Sequence, residues 1–459
     1  MFRGRIRAIH FVGIGGIGMS GIAEVLLNLG YAVTGTDLNA SDTTARLCDL
    51  GATVYKGHSA DYLGDADVVV VSSAVGMGNP EVVAARQRKI PVIPRAEMLA
   101  ELMRLKEGIA IAGSHGKTTT TSLVASILHA AKLDPTVVIG GKVNSFDSNA
   151  RLGRGDVLLA EADESDGSFL YLTPTFALIT NIDNEHLDHY GSIERVLDAF
   201  VGFANRVPFY GLAVVCVDDA NVKAILPRLS KRTVTYGIDD PTADYVATDV
   251  RHEGPVTRFR VVVRGRDRGE FVLQMPGVHN VRNALGSIAL CDEYQVPPEI
   301  TRRALAEFEG VQRRFTLRGE AAGVTVVDDY GHHPTEIEAT LAGARQAYDG
   351  RRIVGVIQPH RFSRVRDNFE GFIACADAAD IVVLTEIYAA GEKPIDGFSI
   401  DALAERMRAH RGNDSVIVEK DLEALPPSIA ALCEAGDVVL TLGAGSITRV
   451  GPRILDALG

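Results

Sequence analysis

The segment Ala110-Ile-Ala-Gly113-Ser114-His115-Gly116-Lys117-Thr118-Thr119 constrains this chain more than any other. An apolar strand enters a tight glycine turn, and a helix opens on Lys-Thr-Thr. Such a turn aims backbone N–H groups and a helix N-terminus at an anion. Lys117 supplies a point charge for terminal phosphates, and the Thr118 hydroxyl can ligate Mg2+. The usual P-loop spacing would need a glycine at Ile111, so this is the shorter Gly-x-x-Gly-Lys-Thr form. The bland alternative is a glycine-rich turn beside a surface lysine.

A second glycine loop stands near the start. Ile9-His-Phe-Val12 reads as a buried strand, then Gly13-Ile-Gly15-Gly16-Ile17-Gly18 leads into a helix over residues 19–29. The next strand ends on Asp37, about twenty positions on, as a ribose-binding acid does in the dinucleotide fingerprint. Alone, this loop would suggest NAD. Two phosphate cradles imply two phosphorylated ligands, and a dehydrogenase needs only one. An enzyme that joins a nucleotide-bearing substrate to something else at the expense of ATP needs both.

Bulk properties agree. A chain of 459 residues suggests three domains, and 46% hydrophobic residues without Trp fit a soluble α/β protein. The net charge of -12 argues against nucleic acid or an anionic membrane as partner. No apolar run is long enough to span a bilayer, and the start does not read as a signal peptide. Five scattered cysteines without a Cys-x-x-Cys pair indicate a reducing cytoplasm, each cysteine being a small core residue. Strand and helix patterns alternate throughout, except between about Tyr245 and Met275. There, alternating residues predict antiparallel strands on the edge of the central sheet. The expected division is 1–107, 108–315 and 316–459.

The run Glu161-Ala-Asp163-Glu164-Ser-Asp166 leaves a buried strand with four carboxylates in six residues. They repel one another unless a cation sits among them, and oxygen ligands suit Mg2+. The following strand ends in the same manner, with His186 among acids. A solvated acidic turn and a structural histidine are the alternatives.

These elements form an ordered set with others: Gly277-Val-His-Asn280-Val-Arg-Asn283, Arg313-Arg314-Phe, Asp328-Asp329-Tyr-Gly-His332-His-Pro and Gln358-Pro-His-Arg361-Phe-Ser-Arg364. The set resembles the Mur ligase family over nearly the whole chain. The resemblance implies three domains: a Rossmann-like UDP-binding domain, a central P-loop-type ATPase domain with a mixed sheet, and a C-terminal Rossmann-like α/β domain. It implies an ATP-dependent ligase that joins L-alanine to the carboxylate of UDP-N-acetylmuramate through an acyl phosphate, in cytoplasmic peptidoglycan precursor synthesis, as a monomer or homodimer.

By the same resemblance, residues 113–119 with Asn280, Asn283, Arg314 and Asp329 would bind ATP. Gly15, Gly16, Ile17, Gly18 and Asp37 would bind UDP, the glycines letting backbone approach the pyrophosphate. Asn280 and Asn283 also read as a helix cap and its neighbour. His332, Arg361 and Arg364 would hold the alanine end. Thr118, Glu161 and His186 would ligate metal, two Mg2+ in all, with Lys117, Glu161 and His186 catalytic. Several relatives carry a carbamylated lysine after the metal histidine, but residues 187–222 contain no lysine. What completes the second metal's shell is left open. A water-sensitive acyl phosphate predicts that the third domain closes during the reaction. A recycling ligase that attaches a preformed peptide, an NAD-dependent oxidoreductase and a nucleotide-binding sensor are the alternatives.

Overall fold

The computed structural model describes residues 6–72, 74–143 and 148–459, without the side chains of 17 and 140–150. The chain divides into two compact units. One comprises Met1–Thr248, Val261–Gly269 and Arg282–Glu309; the other comprises Asp249–Arg260, Glu270–Val281 and Gly310–Gly459.

The first unit opens with five parallel strands in the order Thr53–Lys56, Ala32–Asp37, Ala8–Val12, Val68–Val71, Val92–Pro94. Ile9, Phe11 and Val12 are fully buried, as a strand covered by helices on both faces requires. Strand order reverses beside Ala8–Val12, so the crevice opens at its carboxyl end, where residues 13–18 turn.

The second sheet has ten strands. Its middle is parallel, with Glu107–Ala112 between Phe176–Ile179 and Val157–Glu161. Ala112 pairs with Ile179, and Ile111 with Glu161. The three carboxyl ends therefore finish level. This places the glycine turn between the acidic run and the histidine-bearing run. Three strands at one end, Tyr245–Glu253, Val256–Val263 and Arg266–Leu273, are joined by two-residue turns. Only antiparallel neighbours accept such short links, as the alternation predicted.

The two sheets of this unit share apolar packing: Met98, Leu99, Leu102 and Met103 of helix Arg95–Met103 join a core with Phe169, Leu172, Phe200 and Phe203. Lys106, at the sequence junction, donates from Nζ to Thr136 Oγ1 (2.8 Å) and to the carbonyls of Gly153 (3.0 Å) and Gly155 (2.7 Å).

The second unit carries six strands in the order Thr316–Ala321, Val324–Asp329, Val438–Leu442, Ile353–Ile357, Ile381–Leu384, Val416–Val418. The first pair is antiparallel and the rest parallel. The cysteines are all free. Cys216, Cys291 and Cys375 are core residues as read, but Cys48 is exposed on helix Asp42–Asp49, which corrects that reading.

Candidate active site

Gly113 and Gly116 adopt φ of +136° and +80°, which side-chain-bearing residues rarely take. A Cβ at Gly113 would collide with Thr180 Oγ1, and one at Gly116 would lie 2.6 Å from Asn283 Oδ1. The turn is tied to the next strand end. Ser114 N donates to Asn181 O (3.0 Å), His115 N to Asn181 Oδ1 (2.8 Å), and Thr180 Oγ1 to His115 O (2.6 Å). Helix Lys117–Ala130 follows, with Gly116 as an N-cap that has no side chain to offer. A helix that opens without a side-chain cap suits an anion at its N-terminus.

Lys117 is folded back over this turn. Its Nζ donates to Gly113 O (2.6 Å) and Ser114 O (3.1 Å) and meets both Glu164 oxygens, Oε1 at 2.9 Å and Oε2 at 2.8 Å. Burial works against the ammonium charge. The carboxylates of Glu164, then Glu161 and Asp163, outweigh it and hold the lysine above its ordinary pKa.

Thr118 Oγ1 donates to Glu161 at 3.1–3.2 Å. His186 Nε2 lies 3.6 Å from Glu164 Oε1 and 3.7 Å from Glu185 Oε2. One ligand atom each from Glu164, Glu185 and His186 falls within 4.8 Å of the others. His186 has φ of +58°, a strained setting that recurs at functional sites. Tyr190 Oη donates to Glu164 O (2.5 Å), fixing the acidic turn.

The predicted metal set therefore sits in a wider group, to which the structure adds Glu164 and Glu185. Glu164 is only 2% exposed. Its charge is opposed by Lys117. Three carboxylates around one lysine, with Glu185, a hydroxyl and an imidazole alongside, fit a hard divalent cation.

At the other glycine loop, Gly13 N and Ile14 N donate to Thr36 O (2.8 and 2.9 Å). Asp37 Oδ2 accepts from Gly15 N (2.9 Å), so the acid read as a ribose or uracil contact also braces the loop. Gly16 caps helix Ile17–Asn28, again without a side-chain bond. The side chain of Ile17 lies outside the described residues. Gly18 has a neighbour that the sequence does not reveal. A Cβ there would lie 2.9 Å from Arg95 Nη1 and 3.1 Å from Arg95 Cδ, so this glycine makes room for an arginine. Beneath the loop, buried Glu81 accepts from His10 Nε2 (2.8 Å), Thr36 Oγ1 (2.8 Å) and His58 Nδ1 (2.9 Å).

Helix Val278–Glu293 starts two residues before Asn280, which removes the cap reading of that residue. Asn280 Nδ2 donates to Pro276 O (2.8 Å) and is buried; Asn283 abuts the glycine turn at Gly116. In the second unit, Asp329 Oδ2 accepts from Phe315 N and Oδ1 from Gly331 N, both at 2.7 Å. Burial raises its pKa despite nearby Arg314. The Arg314 guanidinium lies 5.3 Å from the Tyr330 ring centroid and 3.6 Å from Glu336. His332 Nδ1 lies 3.1 Å from Glu336 Oε2, and its ring stands edge-on to His360 at 5.6 Å. Arg364 Nη1 is 3.3 Å from His360 Nδ1, and Arg361 N donates to Tyr388 O (2.8 Å). Burial, then His332 and the two arginines, pushes His360 down to about 4. The structure thus links His332 with Arg364 through a neutral His360.

Residues 8–107 match the Mur ligase family, catalytic domain; residues 111–291 the Mur ligase middle domain; and residues 313–445 the Mur ligase, glutamate ligase domain. A UDP-N-acetylmuramate–L-alanine ligase of Myxococcus xanthus is 59% identical over 98% of this chain and 95% of its own. This chain belongs to the Mur ligase family. Among solved Mur ligase structures, the UDP-N-acetylmuramate-alanine ligase of Thermotoga maritima covers 98% of each chain at 31% identity, with a TM-score of 0.80. A murein peptide ligase of Psychrobacter arcticus covers 99% of each at 26% identity, with a TM-score of 0.70.

Glu164, Glu185, His360 and Arg95, which lie against predicted site residues of this Mur ligase, carried no role in the sequence reading. Glu164 and His360 stood inside motifs already quoted and Glu185 is one of the acids beside His186, and only burial and proximity single them out. Nothing local marked Arg95.

Proposed function

We propose that this Mur ligase joins L-alanine to the carboxylate of UDP-N-acetylmuramate, with ATP as co-substrate, in peptidoglycan precursor synthesis. The observation that carries the reaction class is the level row of strand ends: Lys117 and Thr118 flanked by Glu161 and Glu164 on one side and Glu185 and His186 on the other. The relatives' names supply the substrates.

A carboxylate does not yield to an amine directly, because oxide would have to leave. Transfer of the ATP γ-phosphoryl forms a carboxylate O–P bond and breaks the P–O bond to ADP. The alanine amine then adds to the carbonyl, the C–O bond breaks, phosphate departs and a proton is released. Positioning and charge neutralisation dominate such transfers. Residues 113–119 cradle the ATP phosphates, and Lys117 exchanges Glu164 for phosphate oxygens. Glu161, Glu164, Glu185, His186 and Thr118 would hold Mg2+, which when bound supplies neutralising charge at the transferring group. Asn283 buttresses the turn. Asn280, Arg314 and Asp329 serve ATP, and His332, Arg361 and Arg364 take the alanine carboxylate. Gly15, Gly16, Ile17, Gly18 and Asp37 take the UDP moiety. Modules 1–107, 108–315 and 316–459 carry sugar nucleotide, ATP and amino acid. The setting is the cytoplasm. Among the described residues no helix is long and apolar enough to cross a membrane.

The test is ADP release with UDP-N-acetylmuramate and a panel of amino acids and short peptides. L-alanine should support the highest kcat/KM, by at least about tenfold over a preformed peptide, a modest discrimination for a shaped pocket. Preference for the peptide would instead indicate the recycling reaction. Glu164-Ser-Asp-Gly-Ser-Phe, in place of a Glu-Tyr-Asp run, speaks for alanine.

A further inference from the structure

Arg95 is the first residue of helix Arg95–Met103. A cation at a helix N-terminus opposes the helix dipole, so this helix gains nothing from it there. Its ion pair is no better reason. Arg95 Nη2 lies 3.4 Å from Asp163 Oδ2, and that carboxylate is 45% exposed, a setting in which such pairs contribute little. Yet space is made for the guanidinium. Gly18, in the first turn of helix Ile17–Asn28, lies against Arg95 Nη1, Cδ and Cζ, and any side chain there would displace them. Gly18 needs no positive φ, so backbone freedom does not account for it.

The guanidinium therefore rests on the uncapped first turn that follows one glycine loop. Its far edge faces Asp163, two residues beyond Glu161 on the acidic turn beside the other loop. A substrate with its nucleotide on the first loop and its carboxylate at the second has to cross this position. We propose that Arg95 holds the diphosphate of the sugar nucleotide, leaving Asp163 to do so. This rests on the reading that residues 13–18 bind UDP. The diphosphate is favoured over the substrate's carboxylate because the contact with Gly18 puts the guanidinium on the helix turn itself. A guanidinium there offers paired N–H groups that match phosphate oxygens, and Arg95 acts as a binding residue.

The test is calorimetric titration of the full chain with UDP, UDP-N-acetylmuramate and ATP. Arg95→Gln should raise the Kd for both uridine ligands by a similar factor, roughly ten- to a hundredfold, with ATP binding unchanged. Arg95→Lys should recover part of the loss. Arg95→Met, which keeps the apolar stem of the side chain and removes only the guanidinium, should reproduce it, and keeps the proposal testable if Arg95→Gln does not fold. Unchanged UDP affinity in Arg95→Gln overturns the proposal. So does a loss confined to UDP-N-acetylmuramate, which would assign Arg95 to the sugar's carboxylate. Gly15→Val serves as the control for the underlying reading. If it leaves UDP binding intact, the glycine loop is not the UDP site, whatever Arg95 does.

Discussion

Replacing Lys117 by methionine is expected to lower turnover by roughly a hundred- to a thousandfold at saturating ATP, the cost of removing one preorganised charge from a transferring group. The variant should also be less stable, because Glu164 is buried and its charge is met by this lysine. Breaking a buried pair by deleting one partner costs about 3–5 kcal/mol. The double variant Lys117→Met with Glu164→Gln removes both charges and should regain much of that stability without regaining activity. Denaturant unfolding and steady-state ADP release on the two variants separate the effects. Near-normal turnover of the single variant at saturating ATP would remove Lys117 from the phosphate site.

Glu161→Ala and His186→Ala should each lower turnover by roughly a hundredfold or more and raise the Mg2+ concentration required for half-maximal rate. If both hold the same ions, the double variant should be little worse than either alone, as for groups acting as a unit. Losses that multiply across the double variant would mean that the two side chains serve separate steps. The comparison is worth making because Thr118 pairs with Glu161 whereas His186 lies against Glu164 and Glu185. Non-additivity would show that one bound ion set spans both groups.

Much of this arrangement is legible in the sequence, for local reasons. Strand period, glycine turns and acidic or histidine-bearing strand ends are written within a few residues of each other. Strand order then places them side by side. What is not legible depends on the third dimension. Strand Val157–Glu161 ends on one acid and is followed by Asp163, Glu164 and Asp166, and nothing in their order shows that Glu164 is the buried partner of a lysine 47 positions earlier. Gly18 reads as part of a phosphate fingerprint, while its space is taken by Arg95, far along the chain. Asn280 reads as a helix cap because the asparagine is visible. The helix begins earlier because Gly277, at φ of +93°, turns the chain before it. His360 carries no role of its own in Gln-Pro-His-Arg, and only the packed rings of His332 and Tyr388 give it a place between the predicted residues.

In the proposed reaction ATP activates the carboxylate of the sugar nucleotide as an acyl phosphate at the Lys117 turn. Isotope transfer tests it most directly. UDP-N-acetylmuramate carrying 18O in its carboxylate is turned over with ATP and L-alanine, and the released phosphate is analysed by mass spectrometry. One labelled oxygen in each phosphate is the predicted result, because the carboxylate oxygen that attacks phosphorus leaves with it. Unlabelled phosphate, with amide formed, would contradict the account.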